Sequence, residues 1–102
     1  DPALSLLSLA MRAGKIKSGE YAVEKAVKSG EAQLVLVAGD ASANTKKAYQ
    51  DMCRFYRVKY LEYADKTILG GTIGKEFRAA IAVCEEHFAK GISEKANADY
   101  TA

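Results

Sequence analysis

Apolar residues recur at three- and four-residue intervals in five segments, which is the spacing of a helix face that packs against a core. Asp1-Pro2 fits the N-cap and first residue of the first helix, and Gly14 stands where a left-handed residue ends it. The pattern predicts helices over about residues 3–13, 19–29, 43–56, 66–69 and 85–96. Residues 97–102 are expected to form a loose tail.

Four shorter segments are rich in branched, aromatic or small apolar residues and alternate with the helices along the chain. Residues 33–38, which read QLVLVA, are almost continuously apolar and therefore predict a central strand covered on both faces. The other strands are predicted at residues 16–17, 58–63 and 78–84. This alternation indicates an α/β sandwich, with helices on both faces of a four-stranded sheet that is mainly parallel or mixed.

Short polar residues ahead of the helices predict where each helix begins. The Ser18 hydroxyl is expected to cap the second helix, and Ser42 or Asn44 the third. Asp65 is expected to cap the short fourth helix. The buried side of the third helix is predicted to consist of Ala48, Met52, Phe55 and Tyr56.

Composition narrows the protein class without naming a function. A chain of 102 residues that is 49% hydrophobic and 27% charged is an ordinary globular domain. Its net charge of +2 does not by itself require nucleic-acid binding, so that case rests on where the lysines cluster. The two cysteines have no metal-ligand spacing, and neither a membrane-length apolar run nor a signal-peptide pattern is present. These features predict a cytoplasmic protein with no membrane partner.

Residues suited to catalysis or metal binding are sparse. His87, the one histidine, lies in the run EEHF, which is more typical of a solvated helix face than of an acid–base pair. One histidine without clustered carboxylates leaves too few ligands for a metal. Gly70, Gly71 and Gly74 match neither the dinucleotide-binding nor the P-loop pattern. We therefore predict a non-catalytic protein without a metal or cofactor.

Basic residues gather around the beginning of the second helix, where free amides and the helix dipole favour anions. Lys15 and Lys17 precede this helix, and Tyr21, Lys25 and Lys28 follow one another along a single exposed stripe of it. Two further clusters are Lys46 with Lys47, and Lys75 with Arg78. Loops after alternate strands emerge at one edge of a sandwich, so these clusters are expected to share an edge that contacts phosphate or RNA. The alternative is that they are solubility charges on solvated faces.

The run GKIKSGEYAVEKAVKSGEAQLVLVAGDAS, with ILGGTIGKEFRAAIAV further on, resembles the kink-turn-binding ribosomal protein superfamily of archaeal L7Ae and eukaryotic L30e. The N-terminal run LSLLSLAMRAGKI is similar to its small bacterial YlxQ-type branch, and the resemblance extends from about Leu4 to Ile92. It implies a single-domain three-layer α/β/α sandwich with a mixed four-stranded sheet. It also implies recognition of kink-turn RNA, in which tandem sheared G·A pairs adjoin a sharp bend.

The resemblance places the RNA contacts on three segments. These are the start of the second helix, the start of the third helix, and a loop before the last strand that covers a flipped-out base. The corresponding residues are Gly19, Glu20, Tyr21, Ala22 and Lys25, then Ser42 and Lys46, then Gly74, Lys75, Glu76, Phe77, Arg78 and Ala79. The anion-binding pattern adds Lys15, Lys17, Ser18 and Lys28.

Tyr21-Ala22 stands where strong kink-turn binders typically carry Asn-Glu, whose side chains read the G·A pairs. The resemblance therefore supports contacts to RNA phosphates more than base readout, with Tyr21 or Phe77 available for stacking. We predict a non-catalytic protein that binds structured, kink-turn-like RNA, including ribosomal RNA, and associates with the ribosome. The alternative is a protein-interaction module on the same fold with weak or lost RNA binding. An enzyme acting on a phosphorylated metabolite is a distant third.

Overall fold

The computed structural model describes the backbone of residues 1–101 and the side chains of residues 1–97. Helices and strands alternate throughout this range, as predicted. The helices are α1 (Pro2–Arg12), α2 (Glu20–Lys28), α3 (Ala43–Tyr56), α4 (Lys66–Thr72) and α5 (Glu86–Thr101). The strands are β1 (Ile16–Ser18), β2 (Leu34–Val37), β3 (Lys59–Glu62) and β4 (Ala80–Val83).

The four strands form one mixed sheet in the order β1-β4-β2-β3. Strand β4 runs antiparallel to both β1 and β2, and β2 runs parallel to β3. The predicted central position of β2 is confirmed, since all four of its residues are buried and both of its edges are paired. The carboxyl ends of β1, β2 and β3 and the start of β4 consequently lie at one end of the sheet.

The sheet separates two apolar clusters, which confirms the predicted three layers. Leu34 and Leu36 of β2 face the layer formed by α1, α4 and α5. Val35 and Val37 point to the other side, where they pack with residues of α2 and α3. Because successive side chains of a strand alternate between faces, one continuous apolar strand supplies both cores.

Several predicted caps are confirmed. The Asp1 carboxylate accepts the backbone N–H groups of Ala3 and Leu4 at 2.8 and 3.1 Å. The Ser42 hydroxyl caps α3 by accepting the N–H of Thr45 at 3.1 Å, and Asp65 caps α4 by accepting that of Ile68 at 2.8 Å. These caps involve residues two or three positions apart, so local sequence is sufficient to predict them.

The predicted cap of α2 is wrong. Gly19, rather than Ser18, is the N-cap, and no described side chain caps this helix. Ser18 belongs to β1, where it pairs with Ile81 of β4, and its hydroxyl accepts a hydrogen bond from Arg78 Nε at 3.1 Å. A partner sixty positions away therefore takes the hydroxyl that the local pattern assigned to the helix.

The predicted buried side of α3 is also wrong. Tyr49 and Cys53 are the buried residues of this helix, whereas Phe55 is 78% exposed. Ala48 and Tyr56 are exposed as well, and Met52 is only partly buried. The helix carries two neighbouring apolar stripes, and the sheet covers only the one that contains Tyr49 and Cys53.

Two helices extend beyond their predicted ends. Helix α4 continues through Gly70 and Gly71 to Thr72, and Gly74 with φ of 77° follows the end of the helix. Helix α5 ends at Thr101, so residues 97–101, which were expected to lie outside it, belong to this helix. No proline or glycine follows Gly91, so the local sequence contains no strong signal that would stop the helix earlier. Ala102 lies outside the described residues.

The start of α5 gives a pH-dependent prediction. Backbone N–H groups of His87 and Phe88 donate to the Glu85 carboxylate at 3.0 and 2.8 Å, and they lower the Glu85 pKa to about 2. Since the folded pKa lies below the ordinary carboxyl value of about 4.3, this stabilisation is present above that value and disappears as pH falls towards 2.

The neutral Glu85→Gln variant should therefore melt at a lower temperature than wild type at pH 5, and the difference in melting temperature should close near pH 2. Glu86→Gln, which neutralises an exposed carboxylate of the same turn, is the control for a calorimetric series. A gap that does not change between pH 5 and 2 would contradict the assignment.

Candidate functional site

The beginning of α2 and the loop from Gly74 to Ala79 lie side by side at one end of the sheet. The amide of Gly19 faces the carbonyl of Ala80 at 3.4 Å, just beyond the β1–β4 ladder. The loop is also held to the end of β2, because the amide of Ala38 donates to the carbonyl of Ala79 at 2.9 Å. The sheet register thus brings together two segments that are more than fifty residues apart in sequence.

Arg78 links these two segments directly. Its guanidinium donates from Nε to the Ser18 hydroxyl at 3.1 Å and from Nη1 to the carbonyl of Phe77 at 2.6 Å. One side chain therefore bridges the last residue of β1 and the loop before β4. Arg78 is half-buried, and its Nε and Nη1 groups already have acceptors. Its side chain therefore holds the loop against the start of α2.

The free end of α2 makes this surface attractive to anions. Gly19 adopts φ of 90° and ψ of 154°, which turns the chain sharply from β1 into the helix. Because no described side chain caps α2, the first-turn amides have no side-chain acceptor, and the positive end of the helix dipole faces outward. Such an end suits a phosphate oxygen.

Exposed aromatic and basic side chains flank this helix end. Tyr21 is 79% exposed and Phe77 is 57% exposed, so neither of them belongs to the core. Lys25 lies one turn beyond Tyr21 on the same exposed stripe, as predicted. Lys75 is exposed in the loop, together with Gly74 and Glu76. Neither Lys25 nor Lys75 forms an ion pair with a described residue.

The structure separates Lys15 from the other lysines of the predicted cluster. The carbonyl of Lys15 accepts from the amide of Cys84, at the far end of the β1–β4 pair. An extended strand rises about 3.3 Å per residue, so Lys15 lies on the order of 13 Å from Gly19. Lys28 lies one turn beyond Lys25 on the exposed stripe, as predicted. It is the last residue of α2, about 12 Å from the start of the helix, and it forms an ion pair with Glu24 at 3.3 Å. Lys17, exposed in the middle of β1, remains nearer to the site.

The start of α3 is oriented towards the same end of the sheet because α3 follows β2 directly. Ser42 is exposed there, but its hydroxyl already bonds to Thr45. Lys46 forms an ion pair with Glu62 at 3.4 Å, and the Tyr60 hydroxyl donates to Glu62 at 2.9 Å. Burial and Glu62 together raise the pKa of Tyr60 far above its usual range. Glu62 thus partly compensates the charge of Lys46, which makes Lys46 a weaker anion contact than Lys25.

Comparison with known proteins decides the family. A family model described as the ribosomal protein L7Ae/L30e/S12e/Gadd45 family matches residues 2–92. The chain belongs to this family. The resemblance drawn from the sequence is therefore confirmed.

Relatives within the L7Ae/L30e family cover most of the chain. RNA-binding protein YlxQ from Bacillus subtilis is 45% identical over 84 residues, which are 82% of this chain and 84% of the relative. The YlxQ protein of Enterococcus faecium is 37% identical over 92 residues, 90% of this chain and 88% of the relative. Large ribosomal subunit protein eL8 of Thermoplasma volcanium is 32% identical over 84 residues, 81% and 69% of the two chains. These relatives are named as RNA-binding and ribosomal proteins, in agreement with the prediction that this chain is not an enzyme.

A solved structure also matches this L7Ae/L30e-family chain. A protein with unknown function from Bacillus halodurans superposes with a TM-score of 0.89 at 36% identity. The match covers 93% of this chain and 96% of the other. The fold is therefore shared over nearly its full length.

The remaining reactive residues lie away from this surface. His87 is at the start of α5, with its Nδ1 atom 2.8 Å from Glu85. Burial raises the pKa of Cys53 to about 11, which keeps the thiol protonated. Within residues 1–97, no group of histidine, cysteine, aspartate and glutamate side chains could hold a metal. None of the described helices is long and apolar enough to cross a membrane.

Sequence reasoning missed Asp40 as a positioning residue. Its carboxylate accepts the backbone N–H of Lys66 at 2.9 Å, which ties the loop after β2 to the start of α4. The Gly39-Asp40 pair directly after a buried strand was the available signal, since aspartate commonly accepts backbone N–H groups in such turns. Asp40 thereby helps to order the end of the sheet at which the candidate surface lies.

Proposed function

We propose that this chain is a non-catalytic protein that binds structured RNA, and that kink-turn-like RNA is its preferred ligand. The observation that carries the proposal is the joint surface made by the uncapped start of α2 and the loop from Gly74 to Ala79. It combines free amides, two lysines without a described ion-pair partner and two exposed aromatic rings within one L7Ae/L30e-family fold. RNA binding is supported further by the names of the two YlxQ relatives, both of which are RNA-binding proteins.

The chemistry of the surface suggests how RNA would lie on it. The first-turn amides of α2 and the Lys25 ammonium contact backbone phosphates, which position the RNA without reading its sequence. Tyr21 and Phe77 stack on unpaired bases, the usual way in which proteins hold single-stranded or bulged nucleotides. Lys75 adds a phosphate contact from the loop. Ser42 and Lys46 reach the same RNA from the start of α3.

Base-specific readout is proposed to be limited. Tyr21-Ala22 presents a phenol and a methyl group, whereas an Asn-Glu pair would present an amide and a carboxylate. Selectivity for a bend then comes from shape, because only a kinked RNA places phosphates on α2 and an unpaired base against the loop together. Ribosome association is part of the same proposal and is tested by co-sedimentation with ribosomal subunits in sucrose gradients.

Replacing Lys25, which lies one turn beyond Tyr21 on the exposed stripe of α2, tests the phosphate contacts. Lys25→Ala should weaken binding to a kink-turn duplex about tenfold, since a hydrogen bond to a charged group contributes about 1.5 kcal/mol. The slope of log affinity against log salt should fall by about 0.7 to 0.9, as expected when one phosphate contact is lost. Gel shifts at several salt concentrations measure both quantities.

Two further lysine variants serve as controls for Lys25→Ala. Lys28→Ala removes an ion-paired lysine at the far end of α2, and Lys95→Ala removes an exposed lysine of α5. Both should change affinity by less than about twofold, because Lys28 is already paired with Glu24 and Lys95 lies on α5, across the sheet from α2. If all three variants weaken binding equally, attraction is diffuse and the specific surface is wrong.

A paired RNA set separates kink-turn recognition from RNA binding in general. Wild-type protein is titrated with a kink-turn duplex and with a straight duplex of the same length and composition. A preference of tenfold or more for the kinked duplex is expected. Equal affinities would refute the kink-turn preference but retain RNA binding, and failure to bind either duplex would favour the protein-interaction module.

A further inference from the structure

A groove of about 690 Å³ lies between α2 and α3, and carboxylates and aromatic rings line it. Its α3 side is lined by Ala48, Met52, Phe55 and Tyr56, the stripe that the sheet leaves uncovered. Its α2 wall is formed by Glu20, Glu24 and Lys28. The groove begins near the starts of both helices and extends to the far end of α3.

Two neighbouring aromatic side chains are exposed on the α3 side of the groove. Phe55 and Tyr56 are 78% and 39% exposed, and their rings form an edge-to-face pair with centroids 4.9 Å apart. The edge-to-face contact braces the two rings against each other while leaving one face of Phe55 open. Aromatic anchors beside an adaptable methionine are typical of surfaces that bind a protein segment.

Three carboxylates line the groove, although the chain as a whole is mildly basic. These are Glu20, Glu24 and Asp51, opposed by Lys28. Lys28 is paired with Glu24, and Lys47 with Asp51 at 3.1 Å, so Glu20 is the carboxylate without an ion-pair partner among described residues. Burial, followed by the charges of Glu20 and Glu24, raises the pKa of Tyr49 to about 12. On this side of α2, the uncompensated Glu20 carboxylate favours a cationic ligand.

We propose that the groove between α2 and α3 binds a basic amphipathic helix of a partner protein, with its apolar side on Phe55 and Met52 and its lysines or arginines towards Glu20, Glu24 and Asp51. The lengths agree with this occupant. Helix α3 has 14 residues and α2 has nine, so the groove is about 13 to 21 Å long and accommodates roughly two to four helical turns. Placing an amphipathic helix in an apolar groove is a recurrent mode of protein recognition.

Two designed peptides of opposite charge test the proposal. A fluorescein-labelled helical peptide of leucine and lysine in a 3.6-residue pattern is titrated against the protein by fluorescence anisotropy. The same peptide with glutamate in place of lysine is the charge-reversed probe. The lysine peptide is expected to bind at least tenfold more tightly than the glutamate peptide. Amide chemical shifts should move along the facing sides of α2 and α3.

Two exposed phenylalanines make a matched pair of variants. Phe55→Ala should weaken the lysine peptide at least tenfold and leave kink-turn affinity unchanged. Phe77→Ala should leave the peptide affinity unchanged and weaken kink-turn RNA. Since both rings are more than half exposed, neither substitution threatens folding. Glu20→Gln should weaken the lysine peptide at low salt and lose its effect at high salt.

Other outcomes overturn the inference and identify a different occupant. Equal affinity for the lysine and glutamate peptides refutes the charge argument. Loss of kink-turn affinity in Phe55→Ala assigns the groove to RNA. Concentration-dependent dimerisation in analytical ultracentrifugation that Phe55→Ala abolishes assigns it to a second copy of the chain. Failure of the kink-turn measurements alone would leave the groove proposal standing, because the peptide assay does not use RNA.

Discussion

Gly70→Ala is expected to destabilise the protein and to displace the RNA-facing loop in one step. A Cβ atom at Gly70 would lie 2.8 Å from the carbonyl oxygen of Glu76 and 2.9 Å from the Cα of Phe77. Both contacts are with backbone, so the loop from Gly74 to Ala79 must move. Overpacking of this kind costs about 1–3 kcal/mol, and each kcal/mol lowers the melting temperature of such a domain by roughly 4–8 °C. Kink-turn affinity should fall at least about tenfold, because Phe77 and Arg78 move with the loop.

Gly71→Ala is the matched control, since it makes the same change one residue later in α4. A Cβ atom there would meet no heavy atom within 4 Å, and its φ is not in the left-handed region. Alanine in a helix interior is favoured over glycine by about 0.5–1 kcal/mol, so this variant should melt at or above wild type. Melting curves and gel shifts of the two variants give the comparison. If Gly70→Ala behaves like Gly71→Ala, the loop does not rest on α4.

Gly19→Ala is expected to have a comparable effect through backbone strain alone. With φ of 90° and ψ of 154°, Gly19 lies in a region that is essentially restricted to glycine, and forcing another residue into it costs about 1–3 kcal/mol. A Cβ atom would meet nothing within 4 Å, so the penalty does not come from packing. Relief of the strain would tilt the start of α2, so the first-turn N–H groups would no longer point towards one ligand. Both thermal stability and kink-turn affinity should therefore fall.

Chirality separates strain from other causes in this variant. A D-alanine placed at position 19 by chemical ligation adds the same methyl group but prefers positive φ. It should restore the melting temperature of the wild-type protein. Its RNA affinity should lie within about twofold of wild type. If the D-alanine protein is as impaired as Gly19→Ala, the side chain itself is at fault and the conformational explanation is wrong.

The helix caps show where local sequence is sufficient. Ser42 and Asp65 cap α3 and α4 as predicted because each accepts from an amide three positions ahead. Ser18 has the same chemistry but caps nothing, because Arg78, sixty positions later, donates to its hydroxyl. A cap can thus be predicted only where no distant group competes for the same oxygen.

The lysines of the candidate surface show the same limit. Tyr21 and Lys25 share an exposed stripe, as helical periodicity predicts. Lys28 continues this stripe but is paired with Glu24. Proximity in sequence also suggested that Lys15 belongs with these residues, but the rise of strand β1 carries it away. The loop at Gly74, distant in sequence, becomes a neighbour because β1 and β4 pair.

The sequence by itself determined the order of the elements, the central place of β2 and the membership of the L7Ae/L30e family. These depend on periodicity, local caps and motifs, all of which involve residues that are close together in sequence. Only the tertiary structure decided which stripe of α3 is buried, that Arg78 donates to Ser18, and that a groove lined by carboxylates and aromatic rings lies between α2 and α3. The physical reason is that burial and pairing depend on the element lying opposite, and the sheet register selects that element from among residues far apart in sequence.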